Sequence, residues 1–153
     1  MHHLARTLLI VMVLGFGVQI GIAQHKIFSP DQIEWKPAGG ALPAGAQIAV
    51  LDGDLTQPGL FTLRLKFPAN YRIDAHWHPT NEHATILSGT IHIGLGEKFD
   101  KTKTHPVSAG SLMVMQARTN HFAWNEGEVV LQLHGMGPWL VNYVNPADDP
   151  RNK

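Results

Sequence analysis

Phe61, Leu63, Leu65 and Phe67 alternate with Thr62, Arg64 and Lys66, the period-two pattern of a strand with one apolar and one wetted face. Similar alternation returns at Ile91, Ile93 and Leu95 against Thr90 and His92, and at Val129, Leu131 and Leu133 against Val130, Gln132 and His134. Shorter apolar runs cover 46–51, 71–78, 82–87, 111–115, 121–124 and 139–144. Turn formers bound them: Asp52-Gly53-Asp54, Pro68-Ala69-Asn70, Ser88-Gly89 and Asn125-Glu126-Gly127. Gly135-Met136-Gly137-Pro138 is expected to break the strand that begins at Val129, and the polar chain from Asn145 onward to fray. No apolar period of 3.6 residues is sustained beyond residue 23. Eight or more short strands at this spacing predict an all-β closed barrel or jelly roll.

The first 23 residues do not fit that pattern. His2, His3 and Arg6 form a basic head, Leu8 to Ile22 is apolar apart from Gln19, and Gly21-Ile22-Ala23 offers small residues for cleavage. This is the layout of a secretory signal peptide. Its fifteen-residue apolar run is short of the roughly 20 residues that span a bilayer. Residues 24–153 then form one domain, with a barrel core over about 44–144. Without Arg6 that domain has eleven basic and twelve acidic side chains. Such a balance gives no footprint for nucleic acid and no pull toward a membrane surface once the leader is gone. The protein is expected to be exported, to a periplasm or to the outside. It has no cysteine, so packing and a bound metal, not disulfides, must hold it.

Chemistry concentrates at His76-Trp77-His78-Pro79-Thr80-Asn81-Glu82. Two histidines one residue apart share a strand face, and the turn formers between them and Glu82 return the chain so that a carboxylate approaches the same point. With ten histidines in 153 residues, an isolated His-x-His is expected roughly 0.6 times by chance, and roughly 0.02 times once a Glu four residues on is required. A satisfied core histidine, a surface pair and a dead site that keeps its ligands remain alternatives. Two imidazoles and a carboxylate otherwise suit a divalent transition metal, with Mn, Fe, Co, Ni, Cu and Zn all acceptable. Strand parity places Arg72 and Asp74 on the histidine side and Ile73, Ala75 and Trp77 on the other.

The pattern HxH(x)3E(x)6G is met in full by His76, His78, Glu82 and Gly89. Twenty residues later, G(x)5PxG(x)2H(x)3N is met at Gly110, His121 and Asn125, with Gln116 and Arg118 where the pattern has Pro and Gly. Asn70 likewise stands where a Gly usually precedes the first motif. In these motifs, over roughly Gly59 to Gly137, the chain resembles the cupin superfamily, and is most similar to small exported bacterial single-domain cupins of unassigned activity. The resemblance implies a double-stranded β-helix (jelly-roll) barrel with one divalent transition metal ion held by His76, His78, Glu82 and His121. Arg118 is expected at a turn that favours positive φ, a strained place for a side chain.

The function this implies is metal-dependent chemistry of dioxygenase or isomerase type on a small oxygenated molecule, with Glu82 as a candidate base when it swings off the metal. The alternative is a barrel that captures a metal or small ligand without turnover. Arg72 is a candidate for an anionic substrate group, and Asp74 and Gln132 for orienting ligands. His92, His105 and His134 are candidates for the cavity wall, His83 for a rim. Met113, Met115, Phe122, Trp124 and Trp139 read as core. The Phe61 to Phe67 strand is expected at an interface edge of a homodimer.

Overall fold

The computed structural model describes residues 25–153; the expected signal peptide, 1–23, lies outside the described residues. Eleven strands follow one another in this part: β1 (Lys36–Pro37), β2 (Gln47–Asp52), β3 (Gly59–Phe67), β4 (Arg72–Trp77), β5 (Glu82–Ser88), β6 (Thr90–Leu95), β7 (Thr104–Ser108), β8 (Leu112–Met115), β9 (His121–Trp124), β10 (Val129–Gly137) and β11 (Asn142–Tyr143). They form two antiparallel sheets, one in the order β1-β2-β3-β10-β5-β8 and the other β11-β4-β9-β6-β7. From β3 on the chain passes repeatedly from one sheet to the other. That is the jelly-roll barrel which the alternating pattern predicts.

The inner faces supply the core. Phe61, Leu63, Leu65 and Phe67 on β3 are 0–3% exposed, and each such burial is worth about 1.5–3 kcal/mol. Ala84 and Ile86 of β5 and Leu131 and Leu133 of β10 join them, facing Ile73, Ile91 and Ala123 from the second sheet. Asn125 pins the barrel's end, its Nδ2 donating to the carbonyls of Pro68 (2.7 Å) and Gly127 (2.6 Å).

Four local expectations are corrected. First, β3 pairs with β2 on one side and β10 on the other, so Phe61 to Phe67 is central and not an interface edge. Second, β10 runs on to Gly137. Its glycines permit close approach: a Cβ on Gly137 would sit 2.3 Å from the Gln57 carbonyl oxygen, and one on Gly135 would sit 2.9 Å from that of Asn81. Third, the tail is tied down, because Arg151 bonds both Asp149 and the Val141 carbonyl (2.9 Å). The loop from Gly96 to Lys103 lies over the second sheet, with Phe99 packed on buried Phe122 at 5.4 Å between ring centroids.

The fourth correction bears on the site. β4 and β9 pair Ile73 with Ala123 and His76 with His121, three residues on one strand against two on the other. This β-bulge shifts side-chain parity by one. Ile73 and His76 therefore both face inward, while Arg72 is exposed, paired with Asp74 and stacked on Phe99. Simple alternation assigned Arg72 and Asp74 to the interior; the extra residue puts Ile73 there.

Candidate metal centre

His76 lies near the end of β4, His78 just beyond it, and His121 opens β9 directly across the ladder from His76. Glu82 is the first residue of β5, reached through the Pro79 to Asn81 turn. All four are buried, at 4–7% exposure. Each of the three histidines offers a ring nitrogen within 4.8 Å of the other two. The ring centroids are 5.1 Å apart for His76 and His78, 4.2 Å for His76 and His121, and 5.2 Å for His78 and His121.

Backbone carbonyls fix how these rings are protonated. Nδ1 of His76 donates to the Asp74 carbonyl (2.7 Å), Nδ1 of His78 to that of Leu140 (2.8 Å), and Nδ1 of His121 to that of Thr119 (2.9 Å). A carbonyl only accepts, so each neutral ring carries its proton on Nδ1 and leaves an Nε2 lone pair free. Burial holds the His76 imidazole well below its ordinary pKa, reinforced by His121 and His78. Burial lowers His121 too, against the Thr119 carbonyl, which favours its charged form. At His76 and His121 the interior therefore disfavours a second ring proton.

Glu82 lies beside the trio, its Oε2 3.5 Å from His78 Nε2. Its Oε1 accepts a 2.9 Å hydrogen bond from the Trp139 indole N–H, and that indole stacks on the His78 ring at 6.3 Å. The four polar side chains share a cavity of about 50 Å³ whose other walls are apolar, Leu42, Leu131, Leu133 and Val141 among them.

Residues 63–135 match the model of the cupin domain family. This barrel is a cupin. Solved structures of the same shape include an RmlC-like cupin from Shewanella frigidimarina, 16% identical over 74% of this chain and 91% of that one, with a TM-score of 0.56. The polyketide cyclase RemF from Streptomyces resistomycificus is 14% identical over 83% of this chain and 90% of that one, TM-score 0.65. KdgF from a Halomonas species is 16% identical over 73% and 94%, TM-score 0.54. Comparison with curated proteins gives no match.

The cupin's own donor set fits a metal ion. Three imidazoles turned to present lone pairs, each braced through Nδ1 by a carbonyl, is the arrangement that orients histidine ligands. Those carbonyls and the Trp139 N–H are what sequence reasoning missed. Trp139 read as core, and nothing in its residue type or spacing pointed to its bond with Glu82. Several candidates lie outside the cavity. Gln132 is bonded to Arg64 Nε (3.1 Å) and His92 stacks on Trp124 at 4.2 Å. His83 and His134 pack against each other and His105 is exposed on β7. Asp74 supports His76 through its backbone oxygen and turns its carboxylate to Arg72.

Proposed function

We propose that this cupin is an exported protein that binds one divalent transition metal ion through His76, His78 and His121, with Glu82 as fourth donor, and acts on a small oxygenated molecule. The observation that supports it is the uniform orientation of the three buried rings, each Nδ1 donated to a carbonyl. Three inward lone pairs brought this close repel one another, and a cation resolves the conflict. A metal there supplies Lewis acidity toward an enol, keto or phenol oxygen.

The chain's own residues define the rest. Apolar side chains form the remaining walls of the cavity. Its volume of about 50 Å³ is well under the roughly 300–1,000 Å³ of pockets for drug-sized ligands, so the ligand is small or only its tip enters. With Trp139 holding Oε1, Glu82 Oε2 is the oxygen left to bind the ion or, once off it, to accept a proton from a bound molecule. That proton transfer serves an isomerase- or dioxygenase-type reaction, and the polyketide cyclase among the barrel's structural neighbours favours turnover over simple capture. The signal-peptide pattern of 1–23 supports export, and the mature protein is expected to begin at Gln24.

Metal analysis of tag-free protein tests the reading. About one transition-metal ion per chain is expected, and His121→Ala should empty the site; a stable, metal-free wild-type protein overturns it. Oxygen uptake and product analysis with small enols, phenols and keto acids then separate an enzyme from a binder.

A further inference from the structure

β5 presents Glu82 to the interior and, one residue on, His83 to the opposite side of the sheet. β10 carries His134 on that same outer face, and the ladder sets the two directly opposite, His134 against His83. Both are half-buried. Their ring centroids are 5.1 Å apart with planes tilted by 36°. The three ring pairs of the interior site stand at 4.2–5.2 Å. With metal–nitrogen bonds of about 2.0–2.1 Å, such centroid separations are compatible with two imidazoles on one ion. The outer pair already has the spacing of the inner ligands.

What flanks the pair sets its chemistry. Thr62 is registered beside His134 on β3, and Val114 beside His83 on β8. Neither is charged, so nothing registered beside the rings draws them into an ion pair. Met136, two residues beyond His134 on the same face, is 54% exposed and diagonal to His83, where a long side chain reaches across the ladder. A thioether beside two imidazoles is a soft donor set, and among divalent ions Cu²⁺ binds nitrogen sites most tightly. We infer that His83 and His134 form a second, exterior metal site that prefers copper, independent of the interior histidines. It lies on the solvent side of a strand whose other face bounds the cavity.

Equilibrium dialysis of tag-free protein against Cu²⁺, with a competing chelator, tests the assignment. Even residues that only support a ligand are worth about 10–100-fold in metal affinity. Removing one of two imidazoles, as in His83→Gln or His134→Gln, should therefore weaken the exterior ion at least tenfold, by about that lower figure. The double variant should lose one Cu²⁺ per chain while keeping the wild-type circular dichroism, and His121→Ala should retain the exterior ion. A wild-type protein with no exterior equivalent, or a double variant that still binds it, overturns the proposal. Electron paramagnetic resonance of the Cu²⁺-loaded His121→Ala variant, in which the exterior pair is intact, reads the ligands directly. Splitting from two nitrogens in the ion that His121→Ala retains supports the pair, and oxygen-only ligation refutes it. Zn²⁺ binding there as tightly as Cu²⁺ overturns the copper preference.

Discussion

An imidazole whose Nδ1 is committed to a carbonyl has one thing left to offer, and in this cupin three rings offer it to the same point. The residue types and spacings that bring them there were legible in the sequence. The bracing was not, because backbone carbonyls leave no mark in residue identity. Trp139 is the clearest case. Trp139→Phe keeps an aromatic ring over His78 but leaves Glu82 Oε1 buried without its donor. It should cost about 1–3 kcal/mol of stability and about 10–100-fold in metal affinity, measured by urea unfolding and chelator competition. Arg118, at φ 62°, behaves differently. The left-handed conformation costs about 1–2 kcal/mol, against which stand about 0.5–1 kcal/mol for its stacking on Trp77 and a similar entropy cost of glycine in its place. Arg118→Gly should thus change stability by less than about 1 kcal/mol, whereas Arg118→Ala, which keeps the strain and loses the stacking, should destabilise.

Among the elements, β4 determines whether there is a site at all. Its extra residue between Ile73 and His76 lets a strand contribute core on one turn of the pleat and ligands on the next. Alternation alone foresaw that His76 and His78 share a face, since the bulge lies before them. It misplaced Ile73, Arg72 and Asp74, since a bulge changes parity without changing composition. Deleting Ala75 should restore a regular ladder, turn either the histidines or Ile73 outward, and leave protein that binds less than a tenth of the metal, roughly the loss expected of a dismantled ligand set. At β10 the two glycines read as a break because glycine is scarce in strands, yet here crowding by neighbouring carbonyls excludes a Cβ. Gly137→Ala should lower stability by about 1–3 kcal/mol in urea unfolding.

The whole molecule holds a buried cluster of bases together without disulfides, so its stability without metal must depend on pH. His76 and His121 have folded-state pKa values lowered from about 6.5 by burial. The unfolded chain therefore binds protons first as pH falls. Stability of metal-free protein should be constant above roughly pH 7 and decline through and below about 6.5, read as the urea midpoint at pH 7.5 and at pH 5. A midpoint that rises on acidification would contradict the burial of neutral rings. The all-β barrel followed from the chain's periodicities, since each inner face must find an apolar partner. The exterior pairing of His83 and His134 did not, because ladder register joins residues 51 positions apart in sequence. One consequence is optical. With its indole stacked on the His78 imidazole and bonded to the neighbouring carboxylate, Trp139 is a built-in fluorophore for the interior. A paramagnetic ion arriving there should quench its emission, so filling and emptying can be followed in real time with no label attached.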